Sequence, residues 1–301
     1  MATTLNTLIQ QTRRKLRDWK DFDTITASLS ASTTSLAFSD TSIYAKRWPI
    51  EIDQETMVIR SVDTATQLTV ERGAFGSTAA THTSGTQVLI KPDFYTVEIV
   101  DAINQGIQAC FPDIYRPIVD TSLTVLANQY QYVIPDMPSY TGYPIPRIYR
   151  VELLQPGDYR FRETKRWELQ RGFVTAGSPS SSGGVASTHP VIQFRTLPPV
   201  GSVIRIHGFG PFPALVSTSD SLDALWPPMA SYILPLYAAG SMLMSGEAGR
   251  VRVDGTAVDT REMANRVGSS MSAGQSLIQQ WRRELLTCAM PPLPKHVKAV
   301  I

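Results

Sequence analysis

The chain predicts an α+β fold: a helical bundle core built from N-terminal, central and C-terminal helices, with two inserted antiparallel β modules and an extended C-terminal tail. Three observations predict it. Apolar residues recur at helical spacing in three regions far apart in the sequence, and short alternating runs broken by turn residues fill the stretches between them. The last residues carry prolines that a helix interior rejects. Each helix has a single apolar stripe that must be covered, and helices from the start, middle and end of the chain can cover one another. The expected division is 1–23, 93–115 and 222–288 as helical core, 24–92 as a small β module, 116–221 as a larger one, and 289–301 as the tail.

In the first helix Leu5, Leu8, Ile9, Leu16 and Trp19 form the stripe, and Arg13, Arg14, Lys15 and Arg17 mark the opposite face. From Asp23 to Val70 the pattern shortens to ITASLSA, TSLAF, IEIDQETMVIRSV and QLTVER, separated by Ser, Thr and Asp turn signals. This small β module ends at VLIKP. Asp93 then stands at an N-cap position, and Phe94, Val97, Val100, Ile103, Ile107 and Cys110 mark a second helix stopped by Pro112. Residues 116–215 again read as strands, among them RIYRVELL, VIQFRTL and SVIRIHGF. Within them Gly177 to Pro190 has almost no apolar side chain to bury and is expected to be a mobile surface loop. Met229 to Ser245 reads as an apolar helix kinked at Pro235, with Ala238, Ala239, Gly240 and Ser241 permitting close approach of a neighbour. A last helix, from about Val258 to Thr287, carries Met263, Val267, Met271, Leu277, Ile278, Trp281 and Leu285 on one stripe.

Composition excludes some classes of function. The net charge is +2, from 28 basic and 26 acidic residues in 301, so bulk attraction to nucleic acid or to an anionic membrane is not the design. Any DNA contact must be local. Cys110 and Cys288, far apart in the sequence, read as thiols of a reducing compartment rather than as a disulfide. No stretch reaches the roughly 20 apolar residues that a spanning helix needs, and the N-terminus lacks the apolar core of a secretion signal.

The stretch Val70 to Ile90, VERGAFGSTAATHTSGTQVLI, gathers the residues that could carry chemistry. A phosphate-binding loop needs a lysine directly after its glycines, and the next lysine is Lys91. A nucleophile elbow needs Gly-x-Ser-x-Gly leading into a helix; here the final glycine is missing and a strand follows Ser77. The scaffolding reading accounts for more. Gly73 and Gly76 permit turns with positive φ, Ser77 and Thr78 can bond nearby backbone, and His82 with Gly85 sets a second turn. His82 is read as a neutral imidazole stapling the loop to a backbone carbonyl. The four histidines, His82, His189, His207 and His296, lack ligand spacing, so neither metal nor cofactor is expected. Asp53 and Glu55 share one strand face, which reads as a solvated edge or a subunit contact rather than as a catalytic pair. Arg147, Arg150, Arg160, Arg162, Lys165 and Arg166, interleaved with Tyr149, Tyr159, Phe161 and Trp167, read as sheet packing and interface. No catalytic residue is expected, and the chain does not read as an enzyme.

The order Ile50-Glu51-Ile52-Asp53-Gln54-Glu55-Thr56-Met57-Val58, then Leu68-Thr69-Val70-Glu71-Arg72-Gly73, Gly76-Ser77, Ala79-Ala80, His82 and Gly85, resembles a small β module common in tailed-bacteriophage neck and tail proteins. The resemblance covers residues 24–91. In outline the whole chain is similar to head-to-tail adaptor, or connector, proteins. That likeness implies a dodecameric ring under the portal protein that extends the DNA channel and offers a surface to tail or neck proteins. It implies a virion protein of the head–tail junction, assembled in the host cytoplasm, with no membrane partner. Carried onto this sequence, the tail residues Pro291, Pro292, Leu293, Pro294, Val297, Val300 and Ile301 would dock on the portal or a neighbour. Arg13, Arg14, Lys15 and Arg17 would meet DNA in the ring lumen or acidic groups on an adjoining subunit, and Arg72, Gly73, Gly76, His82 and Gly85 would form the structural turn. A tail-tip or fibre-attachment protein, or a β-rich module binding glycan or host surface through loops such as 177–190, are the alternatives.

Overall fold

The computed structural model describes residues 3–18, 22–138, 140–170, 190–254, 260–291 and 298–299. Trp19, the expected loop Gly177–Pro190 apart from Pro190 itself, Val258, and the tail positions Pro292, Leu293, Pro294, Val297, Val300 and Ile301 lie outside the described residues, as do His189 and His296. The chain divides into two compact units. Unit 1 comprises 1–109, 214–224 and 228–288; unit 2 comprises 110–213, 225–227 and 289–301.

The predicted helical bundle core is not what forms. The molecule is mostly β, with a sheet curled into half a barrel, and among the described residues sixteen strands stand against four helices. The reason is where the large apolar side chains go. Both of the sheet-lined hydrophobic clusters described below draw their Ile, Val, Leu and Phe from strands, because each short alternating run buries one face as effectively as a helical stripe does.

Unit 1 contains a six-stranded antiparallel sheet of β1 (Phe22–Thr24), β2 (Ser35–Ala37), β3 (Pro49–Ile52), β4 (Glu55–Thr64), β5 (Gln67–Glu71) and β6 (Gln87–Ile90), in the order β1-β6-β3-β4-β5-β2. Ile50, Ile52, Met57, Ile59, Leu68 and Val88 are fully buried in its core. β3 and β4 form a tight hairpin in which Ile52 faces Glu55, so Asp53 and Gln54 make the turn, with Asp53 left-handed at φ 56°. The asparagine-like tolerance of aspartate for this conformation is what lets so short a connection close.

The helices of unit 1 are α1 (Leu5–Leu16), α2 (Thr96–Ala109), α3 (Ile233–Asp254) and α4 (Thr260–Cys288). Thr4 caps α1 by accepting the Thr7 N–H at 3.3 Å, and the segment 218–222 holds its start through Leu5 N–H to Asp220 O at 2.8 Å. α1 and α2 both pack on α3, which runs along α4. Pro235 does not kink α3. It sits in the first turn, where its missing N–H would have had no helical partner. The small residues do bring α3 and α4 together: a Cβ on Gly274 would lie 2.9 Å from the Gly240 carbonyl oxygen, and one on Gly240 would lie 3.0 Å from the Gly274 carbonyl oxygen. Trp281 and Leu285 of α4 are buried, whereas Met271 is exposed.

Unit 2 is built from β7 (Arg116–Thr124), β8 (Gln131–Val133), β9 (Asp136–Met137), β10 (Tyr140–Pro144), β11 (Arg147–Leu154), β12 (Arg162–Thr164), β13 (Trp167–Gln170), β14 (Val191–Phe194), β15 (Val203–Gly210) and β16 (Lys298–Ala299). β12-β11-β15-β7 form one sheet and β13-β14-β8 another, and Ile148, Val151, Ile204 and Ile206 from the first share a core with Tyr132, Trp167, Ile192 and Phe194 from the second. β16 adds to the start of β11, pairing Ala299 with Arg147 and Lys298 with Ile148.

Because the crossing of α3 and α4 is backbone against backbone, Gly274→Ala has no flexible side chain to displace at the Gly240 carbonyl. The variant is expected to lose about 1–3 kcal/mol of stability, read as a lower urea midpoint with an unchanged slope.

Candidate functional site

The site grows out of the β3–β4 hairpin, which carries two buried carboxylates. Glu51 in β3 is 2% exposed and Glu55 at the start of β4 is 1% exposed. Burying charge without partners is prohibitive, so each carboxylate must recruit donors from elsewhere in unit 1.

Glu55 recruits the Arg-Gly corner and the loop beyond it. Its Oε1 accepts from Arg72 Nε at 2.7 Å and Gly73 N–H at 3.1 Å; its Oε2 accepts from Arg72 Nη2 at 2.8 Å, Ala80 N–H at 2.9 Å and His82 Nε2 at 3.0 Å. Arg72 spends the rest of its guanidinium on the carbonyls of Ser30 at 2.8 Å, Thr33 at 2.6 Å and Ala80 at 2.6 Å. Every donor of the fork is used. Gly73, Gly76 and Gly85 occupy left-handed positions at φ 61°, 82° and 85°, where a Cβ would be strained. Gly85 N–H donates to Ile25 O at 2.8 Å, and Leu29 and His82 bridge the loop to the sheet through reciprocal backbone bonds of 2.8 and 3.0 Å.

His82 is 4% exposed and faces carboxylates on both sides: Nε2 toward Glu55, and Nδ1 2.9 Å from Asp53 Oδ2. A neutral imidazole could donate to only one of them, so the arrangement calls for the imidazolium. This corrects the expected neutral ring on a backbone carbonyl; of the expected solvated pair, Glu55 is buried while the Asp53 side chain stays 58% exposed. The Asp53 hydrogen bond raises the His82 pKa above its ordinary value against the opposing effect of burial, with Glu55 adding to the rise. Burial would push the Glu55 carboxyl up, but Arg72, Ala80, His82 and Gly73 together outweigh it and hold it at about 2.

Glu51 recruits the helices. Arg13 Nη2 donates to its Oε2 at 2.7 Å, Thr96 N–H donates to Oε1 at 2.6 Å, Thr96 Oγ1 donates to Oε2 at 3.0 Å, and Thr56 Oγ1 donates to Oε1 at 3.1 Å. Thr96 opens α2, so Glu51 adds from a strand a negative charge at a helix start whose first turn also carries Glu98. Asp93, the expected cap, instead gives its N–H to Asp18 Oδ1 at 3.4 Å. Arg13 also pairs with Asp18 and donates to Phe94 O at 3.2 Å. Burial pushes the Glu51 pKa up, with the Thr96 N–H and Arg13 opposing it.

Arg13 therefore leaves the surface set to which the sequence assigned it. It is 8% exposed, and its position explains why: it stands one turn after Ile9 and one turn before Leu16, on the buried stripe. Arg14, Lys15 and Arg17 are exposed. Of the tail, Pro291 is described, and its carbonyl accepts the Tyr115 Oη–H at 3.0 Å.

Beside the hairpin lies a cleft of about 560 Å³ lined by Gln54, Ser77, Thr78, His82, Val97 and Val100. Exposed Asp101 also lines it, while Ser77 and His82 are engaged by neighbouring groups. Ser77 Oγ accepts Thr56 N–H at 2.9 Å and turns its hydrogen toward the Ala74 carbonyl at 2.8 Å, with no base beside it. A doubly donating imidazolium has no lone pair to take a proton, and a carboxyl held at about 2 has none to give at neutral pH. The arrangement positions chain segments around the Glu55 carboxylate.

In unit 2 the basic and aromatic residues of 147–167 divide: Arg160, Arg162, Lys165, Arg166 and Tyr159 are exposed, while others enter the sheets. Trp167 is in the core, Tyr149 stacks on Phe209 with centroids 4.6 Å apart, and buried Glu152 gathers Arg150, Arg205 at 3.5 Å and His207 at 2.8 Å. Compared with protein-family models and with curated proteins, the chain finds no match.

The charge state of His82 gives a direct check. A raised pKa means that the contribution of His82 to stability is complete below about 6.5 and is lost as the pH rises through the folded value. Glu55 works in the opposite sense, its contribution being complete above about 4.3 and lost as the pH falls toward about 2. Nitrogen NMR of the full chain at neutral pH should show both His82 ring nitrogens protonated. Asp53→Asn, which suits the left-handed turn, should lower the titration midpoint without unfolding the chain; an unshifted midpoint would remove Asp53 from the account.

Proposed function

We propose that the chain is a virion structural protein of a tailed bacteriophage, a head-to-tail adaptor. Copies of it form a ring under the portal, extend the DNA channel and present an attachment surface to tail components. The observation that carries this reading is the use made of the resembling motif. Arg72, Gly73, Ala80 and His82 all donate to the buried Glu55 carboxylate, and Ser77 bonds to the backbone of Thr56 beside it. A motif consumed in this way serves architecture, which is what a ring component asks of its protomer, and it leaves no side chain over for turnover.

The tail supports the same reading. Lys298 and Ala299 lie as a strand on the edge of β11, so the end of the chain has the extended geometry by which segments dock on sheet edges. In the adaptor reading, this segment makes the portal contact.

The test uses the full chain and the portal ring encoded beside it, followed by mass photometry. The intact protein should shift the portal peak by a ring of copies. A chain ending at Pro291 keeps the Tyr115 and Asp113 contacts of residues 290 and 291, and should fold with the same thermal midpoint while leaving the portal peak where it was. A full shift by the shortened chain would transfer the contact from the tail to another surface. No shift by the intact chain would set the adaptor reading aside.

A further inference from the structure

One group of cations in unit 1 is left unneutralised, and the topology gathers it at one end of the six-stranded sheet. Lys91 follows β6; Lys46 and Arg47 lead into β3, the strand next to β6; Arg14 and Arg17 stand at the end of α1. Lys91 N–H donates to Pro49 O at 2.9 Å and Lys91 Nζ stands 5.0 Å above the Trp48 ring, which sets Lys91 against the turn carrying Lys46 and Arg47. Arg47 N–H is fixed to Ile59 O at 2.7 Å. The Asp93 N–H bond to Asp18 brings the end of α1 beside the segment that follows Lys91. All five cations are exposed, and among the described residues none of them makes an ion pair. The carboxylates around them are engaged elsewhere: Asp18 with Arg13, Glu71 with Arg60, and Asp23 with the Tyr44 hydroxyl.

A second observation singles out the same residues. Arg17, Arg47 and Lys91 adopt left-handed backbone at φ 56°, 71° and 51°, half of the six non-glycine residues that do so among those described. Glycine or asparagine occupies such positions at lower cost. Here three of them carry a charge that no carboxylate of unit 1 is seen to pair with among the described residues.

We propose that this strip binds the phosphate backbone of double-stranded nucleic acid. Adjacent strands lie about 4.8 Å apart and a nucleic-acid strand presents a charge about every 3.4 Å, so cations on neighbouring segments fall within reach of successive phosphates. Protein interfaces draw their affinity from apolar anchors seated in pockets, and here the nearest aromatic, half-buried Trp48, lies under Lys91. Phosphate binding needs no such anchor, because counterion release drives it. The inference deepens the adaptor reading, which supplies the DNA, by moving the contact from α1 alone to a strip that excludes Arg13; its test needs no portal.

Fluorescence anisotropy of the full chain with a random-sequence DNA duplex, over a series of salt concentrations, reads the strip directly. The parent should bind with a steep salt dependence. The triple variant Arg17→Asn, Arg47→Asn, Lys91→Asn relieves three left-handed positions, so its thermal midpoint should not fall. Its slope of log affinity against log salt should be shallower by about 2.7, roughly 0.9 for each phosphate contact removed, and its affinity at low salt at least about tenfold weaker. No binding by the parent, or an unchanged slope and affinity in the triple variant, would overturn the proposal. Equally tight and equally salt-dependent binding of poly-glutamate would do the same by making the strip a docking site for acidic protein. Loss of DNA binding with an intact portal shift would remove only the strip, and a missing portal shift beside intact DNA binding would remove only the adaptor reading.

Discussion

Two carboxylates buried on one tight hairpin organise unit 1. Glu51 and Glu55 lie on either side of the Asp53–Gln54 turn, four residues apart, and Thr56 links them by donating its hydroxyl to Glu51 from the position after Glu55. Each charge is stable only when surrounded by donors, and the donors come from segments that share no other reason to meet. Glu55 collects the Arg72–Gly73 corner, the Ala80–His82 loop and, through Arg72, the turn at Ser30 and Thr33. Glu51 collects α1 through Arg13 and the start of α2 through Thr96. The hairpin thereby fixes the entry of two helices and the course of a long glycine-rich connection, which the Phe75–Tyr95 stack also ties to the start of α2.

The same arrangement engages the groups beside the cleft that most resemble catalytic ones. Groups suited to chemistry are present, namely a histidine between carboxylates and a serine after a glycine, yet their hydrogen-bonding capacity is spent. The contrast with the exposed cations at the end of the same sheet is the useful one. There the charges are retained at backbone positions that disfavour side chains, and no partner within the unit neutralises them. Buried charges in unit 1 hold the chain, and these exposed ones are not used for that purpose.

Much of the segmentation was legible. Alternating runs located the strands, the stripe from Leu5 through Leu16 located α1, and the small residues around Gly240 marked the close helix crossing. The weight given to helices was not, because an apolar stripe on a helix and an alternating run in a strand bury side chains equally well. Glu51 was illegible for a related reason. Alternation with Ile50 and Ile52 turns it toward solvent in an isolated sheet, and only the arrival of α1 and α2 over that face buries it. Arg13 did leave a signal, a basic residue at the spacing of the apolar stripe through Ile9 and Leu16, but its acids lie far away in the sequence. Asp53 and Glu55 looked like a solvated pair because His82, the group between them, follows by more than twenty-five residues.

The measurement that tests the organising role of the hairpin most directly is a double-mutant cycle between Arg13 and Glu51, using Arg13→Met and Glu51→Gln and equilibrium unfolding of the full chain. If the buried pair ties α1 to the sheet, the two substitutions should be strongly non-additive, with a coupling of about 1–3 kcal/mol. Additivity to within about 0.5 kcal/mol would contradict the account, leaving the helices held to the sheet by apolar packing alone.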